Sequence, residues 1–138
     1  MPTYIGSIEK RQLLLDVLVS NPKTNKTSSY RALLDTGATI SSISPKVLEE
    51  LELSSDGWMP VGGVHGDQDL PTCSVGLHVS ITELSQGQQQ LTTTARGHSR
   101  MKVTIMGKKA DTFDVLVGMD LLQDFHLTVA KGQFILSN

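Results

Sequence analysis

The residues with the strongest chemical content are Asp35-Thr36-Gly37, set within Leu33-Leu34-Asp35-Thr36-Gly37-Ala38-Thr39. An aspartate that leaves an apolar strand and enters a turn at glycine is held rigidly. The strand fixes what precedes it, and glycine permits a backbone bend that a side chain resists. A carboxylate so placed suits general acid or base work on a bound substrate. It equally suits an aspartate that hydrogen-bonds its own turn. Such a triplet arises by chance in on the order of one chain in twenty of this length, so the turn alone decides nothing.

The other chemistry-bearing residues are dispersed. His65, His78, His98 and His126 show neither metal-ligand spacing nor a nucleophile turn beside them, so no metal and no cofactor is assigned. Cys73 is the single cysteine; it can close no intrachain disulfide and is read as a small buried hydrophobe in a strand. Trp58 is read as a packing anchor at the base of a hairpin. With 12 basic and 14 acidic residues the formal net charge is −2, which offers no field for nucleic acid or anionic lipid. No basic start followed by an apolar run marks a secretory signal, and no apolar stretch approaches the ~20 residues of a membrane span. A cytoplasmic protein with neither nucleic acid nor membrane as partner is the expectation.

The elements that must position Asp35 read mainly as strands. Residues 13–19 are apolar except for Asp16, and Asn21-Pro22-Lys23-Thr24-Asn25-Lys26 supplies turn formers before a return strand through Tyr30 to Leu34. Ile40 and Ile43 resume a strand. Ser44-Pro45 starts a short helix carrying Val47, Leu48 and Leu51, with serine capping and proline in the first turn. From Cys73 to Ile81 the alternation of Cys73, Val75, Leu77, Val79 and Ile81 with Ser74, Gly76, His78 and Ser80 predicts a strand with one buried and one wet face. Ser85-Gln86-Gly87-Gln88-Gln89-Gln90 reads as a loop between strands. Met101, Val103 and Ile105 alternate again, 113–117 is an apolar run, and Lys131-Gly132 makes a turn between 127–130 and 133–136. Leu121, Leu122 and Phe125 stand at helical spacing after Gly118. Apolar residues form 38 % of the chain and aromatics only 4 %, so Leu, Val and Ile must fill the core. One all-β domain over 1–138, a closed barrel or small sandwich with one or two short helices, is expected.

The order of these features resembles the retropepsin family, the dimeric aspartic proteases of retroviruses and their cellular and bacterial relatives, over roughly 13–134. Asp35-Thr36-Gly37 matches the turn that carries the family's catalytic aspartate. Val61-Gly62-Gly63-Val64-His65-Gly66 matches the glycine-rich flap, with its tip near Gly63 to Gly66. Leu116-Val117-Gly118, followed by Met119-Asp120-Leu121-Leu122, matches the two apolar residues and glycine that lead into the family's kept helix. The sequence departs where retroviral enzymes often pair an acid with an arginine, since those places hold Thr39 and Met119. The stretch 73–113 is also longer than in compact viral members. The first departure resembles cellular and bacterial relatives, and the Gln-rich segment is read as the insertion behind the second.

The resemblance implies a retropepsin-like closed barrel and an endopeptidase whose site is built from two copies of Asp35. Thr36 would brace the two loops, Gly37 and Ala38 would approach substrate, and Gly118 would pack behind the loop. Gly62, Gly63, Val64, His65 and Gly66 would form the flap over an extended peptide, and Leu33 would wall a side-chain pocket. Two carboxylates sharing a proton are required, one to take a proton from water and one to donate to the scissile carbonyl. Asp16, Asp67, Asp69, Asp111, Asp114 and Asp120 lack a following Thr-Gly, so a homodimer is the simplest source of the second. The terminal segments 1–8 and 133–138 are short enough to pair across such an interface. Two rival readings stay open: a catalytically silent retropepsin-fold module that binds peptide, and an unrelated β domain in which Asp-Thr-Gly is only a turn.

Overall fold

Runs of alternating apolar residues put most of the chain into strands. The computed structural model describes residues 3–63, 66–84, 91–107 and 112–137. In chain order these form β1 (Thr3–Glu9), β2 (Gln12–Ser20), β3 (Thr27–Leu34), β4 (Ser42–Ile43), α1 (Pro45–Glu50), β5 (Gly57–Gly63), β6 (Gly66–Leu84), β7 (Leu91–Ile105), β8 (Val115–Val117), α2 (Met119–Leu122), β9 (His126–Ala130) and β10 (Gln133–Ser137). The strands lie in the order β5-β6-β7-β4-β8-β3-β2-β1-β10-β9, and β6 also pairs with β2. That extra pairing, Val17↔Val79 through Ser20↔Gly76, closes β2, β3, β8, β4, β7 and β6 into a six-strand barrel. The fold is mostly β with two short helices.

The barrel is filled by the residues whose alternation predicts it. Leu15, Val17 and Val19 of β2 are buried together with Cys73, Val75, Leu77, Val79 and Ile81 of β6 and with Val103, Val115 and Val117. The opposite face of β6 is less wet than its sequence implies, for Gly76 is buried and Ser74, His78 and Ser80 are half-buried. Burial drives the Cys73 thiol up to about 12, with Asp56 adding to the effect. Phe134 of β10 is fully buried and packs against Tyr4 with ring centroids 5.8 Å apart.

Several boundaries differ from expectation. The strand through Ile40 and Ile43 shortens to Ser42–Ile43, because the turn that begins at Asp35 takes up the residues before it. Ser44 caps α1 by accepting from the Val47 amide, as expected, whereas α2 is a single turn that tightens through Asp124 N–H to Leu121 O and Phe125 N–H to Leu122 O. The extra length after Cys73 is a long hairpin whose arms stay paired from Thr72↔Thr104 to Leu84↔Leu91. The Gln-rich segment 85–90 lies outside the described residues. The terminal strands β1 and β10 pair with each other within the chain, Thr3↔Ser137 through Ser7↔Gln133, and the Lys131-Gly132 turn lays β9 along the other edge of β10. No helix among the described residues is long and apolar enough to cross a membrane.

Candidate active site

Asp35 stands one residue past β3. That strand runs parallel to β8, with Leu33↔Leu116 and Leu34↔Val117, and the Asp35 amide continues the ladder by donating to Val117 O at 2.9 Å. The chain then turns: Gly37 N–H donates to Asp35 Oδ1 at 2.9 Å and Ala38 N–H to Asp35 O at 3.2 Å. One carboxylate oxygen is thus partly engaged by its own turn, the aspartate-turn geometry expected of this residue type. Asp35 is half-buried, while Thr36 and Gly37 lie exposed at the crest of the turn.

A cavity of about 560 Å³ opens beside this carboxylate. Asp35, Gly37, Ala38, Thr39 and Ile40 line it from the loop. Pro60, Val61 and Gly62 of β5 and Leu70 of β6 line it from the hairpin, and Ser42, Thr104 and Leu116 from the barrel. Apart from Asp35 the lining is apolar or neutral, which suits uncharged side chains of a ligand. Among the described residues no group of three His, Cys, Asp or Glu side chains could hold a metal ion.

The hairpin over the cavity pairs Gly57↔Thr72 through Gly63↔Gly66, and Gly66 takes φ +101°, a conformation open mainly to glycine. Val64 and His65, which the sequence places at the tip, lie outside the described residues. Because successive strand side chains alternate, Met59, Val61 and Leu70 share one face and Trp58, Pro60 and Asp69 the other. Trp58 therefore is not a packing anchor: it is 72 % exposed, opposite Pro71.

Leu33 does not line the cavity. Its lateral partner Leu116 does, because β8 lies between β3 and the cleft. Gly118 lies hard against the Asp35 loop: a Cβ there would stand 2.8 Å from Ala38 O and 3.0 Å from Ile40 C and O. At the places where retroviral enzymes carry an acid and an arginine, backbone bonds join loop and helix instead, Met119 N–H to Ala38 O at 2.7 Å and Asp120 N–H to Thr39 O at 3.1 Å.

Two residues of the site escape a reading by sequence. Ser41, with no exposed surface, donates through N–H and Oγ to the two carboxylate oxygens of Asp120, at 2.9 and 2.6 Å. The only signal in sequence is a polar pair, Ser41-Ser42, between Ile40 and Ile43, where a buried hydroxyl must find a partner.

No curated protein matches the chain. Among solved structures, a retropepsin-like aspartic protease from Rickettsia conorii is similar at 16 % identity, covering 97 % of this chain and 89 % of that one with a TM-score of 0.58. The EIAV protease, solved with the inhibitor HBY-793, shares 22 % identity over 83 % of this chain and 88 % of that one, with a TM-score of 0.43. The Rickettsia likeness extends over the whole barrel, and the fold is retropepsin-like. A family model described as aspartyl protease matches residues 21–121. That match takes in the Asp35 turn, the hairpin over the cavity and the Leu-Val-Gly strand end, and the chain belongs to the aspartyl protease family.

Proposed function

We propose that the chain is an aspartic endopeptidase that works as a homodimer, with the two Asp35 carboxylates activating one water between them. The observation that carries this reading is that Asp35 and the hairpin residues Pro60, Val61 and Gly62 line one cavity. A carboxylate alone on an exposed turn is a turn; a carboxylate lining a cleft of otherwise uncharged residues can act on something held there. The crest of the turn, Thr36 and Gly37, is exposed and therefore open to a second copy. A two-fold axis through that crest brings the two Asp35 side chains together, since an isologous interface juxtaposes identical residues.

In the pair, like charges ~3 Å apart resist double ionisation, so one carboxyl keeps a proton at working pH. The ionised partner takes a proton from water as it attacks the scissile carbonyl, and the protonated partner donates to the carbonyl oxygen. The peptide lies extended. β5 is the last strand of the sheet and pairs along one edge with β6, so its other edge offers backbone groups for strand addition, with Pro60 tolerated at such an edge. Thr36 braces the two loops, Ala38 borders the substrate, and Leu116 takes the wall position in place of Leu33.

The test is cleavage of a diverse peptide mixture from mildly acidic to neutral pH by the wild-type chain and by Asp35→Asn. The amide preserves an acceptor for Gly37 N–H, so the turn survives while acid-base chemistry is lost. Cleavage by wild type alone is expected. Equal cleavage by both would remove Asp35 from the mechanism, and binding without cleavage by either would favour a silent peptide-binding module.

A further inference from the structure

The loop 35–41 has to hold Asp35 at a fixed angle; backbone bonds secure it at Asp35, Ala38 and Thr39, and at its far end through one bond to Ser41 O. The remaining bonds of the far end run through side chains. Ser41 is fully buried, so both its amide and its hydroxyl need partners inside the protein. The Asp120 carboxylate takes both, Oδ2 accepting from Ser41 N–H at 2.9 Å and Oδ1 from Ser41 Oγ at 2.6 Å. The same Ser41 Oγ accepts from Gly118 N–H at 3.0 Å. Ser41 O accepts from Thr104 N–H at 3.0 Å. One serine thereby ties the loop to α2 and to β7, and one carboxylate 79 residues away carries the two charge-assisted bonds of that knot. Asp120 does not line the cavity, so it has no place at the reacting atoms.

We infer that Asp120 and Ser41 form a clamp that positions the Asp35 loop, Asp120 acting as a positioning residue through Ser41. This rests on the protease reading of Asp35. The clamp does for this chain what an acid–arginine pair cannot do here, since Thr39 and Met119 carry no charge. Asp120→Asn keeps the shape and one acceptor for Ser41 N–H. It then turns an amide donor toward a hydroxyl that already accepts from Gly118, and the Ser41 proton loses its acceptor. Asp120→Ala removes both bonds.

The experiment uses the full chain at protomer concentrations where sedimentation shows the dimer complete, so that turnover is expressed per dimer. Expected is a fall in kcat of about 10-fold for Asp120→Asn and about 100-fold for Asp120→Ala, because small misplacements of reacting groups cost rate at this scale. KM should stay within about threefold, as the cavity lining is untouched. Ser41→Ala should lower kcat alone yet cost little more on top of Asp120→Ala, the non-additivity of a shared device. A second readout needs no turnover: in Asp120→Ala, which leaves Ser41 N–H without its acceptor, the amides of Ser41 and Gly118 should exchange with solvent at least about 10-fold faster, while those of the β2–β3 ladder keep their rates. Wild-type kcat per dimer in Asp120→Ala, fully additive losses, or unchanged exchange at Ser41 would each overturn the clamp. If the wild-type chain cleaves nothing, the protease reading fails, and the exchange rates still decide whether Asp120 holds the loop.

Discussion

Gly118→Ala probes how tightly the Asp35 loop is seated. The backbone of Gly118 is extended, with φ −98° and ψ −170°, so alanine meets no conformational penalty and any effect is steric. The added Cβ would stand 2.8 Å from Ala38 O and 3.0 Å from Ile40 C and O, all main-chain atoms that cannot swing aside. Ordinary carbon–oxygen contact requires the loop to retreat by roughly 0.5 Å. Overpacking of this kind costs about 1–3 kcal/mol, which lowers Tm by several degrees in a domain of this size. A retreat of the loop also carries Asp35 off its line, and turnover should fall by roughly 10-fold or more. The assay is thermal unfolding together with kcat on a cleaved peptide. Gly107→Ala serves as control, because nothing lies within 4 Å of a Cβ built there. Wild-type Tm and wild-type turnover in Gly118→Ala would refute the reasoning, for they would mean that the loop is free to yield.

Three further outcomes follow from the core. Burial, with help from neighbouring His98, holds the His78 imidazole below its ordinary 6.5. The unfolded chain therefore binds that proton more readily, and stability should be lost as pH falls below 6.5; urea midpoints at pH 7 and pH 5 should differ less in His78→Gln, and an unchanged difference would contradict this. With its thiol pushed up to about 12 inside the barrel, Cys73 should resist thiol reagents at neutral pH in the native protein and react at once in denaturant, which a colorimetric thiol titration reads. Phe134→Ala should cost about 3–5 kcal/mol in chemical unfolding, because removing a fully buried ring packed against Tyr4 leaves a cavity.

Local signals in the sequence carry the local structure. The alternation from Cys73 to Ile81 marks the buried face of β6, Ser44-Pro45 marks the start of α1, and Lys131-Gly132 marks the β9–β10 turn, where both residues take positive φ. The turn at Asp35 and its order relative to the hairpin and to Leu116-Val117-Gly118 are equally readable. What is not readable depends on long-range pairing. The first part of β7, Thr94-Ala95-Arg96-Gly97-His98-Ser99-Arg100, shows no apolar alternation and is a strand because β6 lies alongside it. Leu33 and Leu116 are alike as residues; the parallel β3–β8 pairing decides that Leu116 meets the cleft. Trp58 looks like an anchor until the β5 register turns it outward. The Asp120–Ser41 bonds join positions 79 apart, and no spacing rule on one strand or helix connects them.

The claim that each active site is shared between two chains is tested most directly by mixing. Wild-type chain at fixed concentration is incubated with an equal amount of Asp35→Asn chain until subunits exchange, and peptide cleavage is measured. If every active site needs an Asp35 from each of two chains, random pairing leaves about half of the wild-type protomers with wild-type partners, and activity falls to about half. Activity that stays at its starting value when the Asp35→Asn chain is added, with exchange demonstrated, would contradict a site shared between two copies of Asp35.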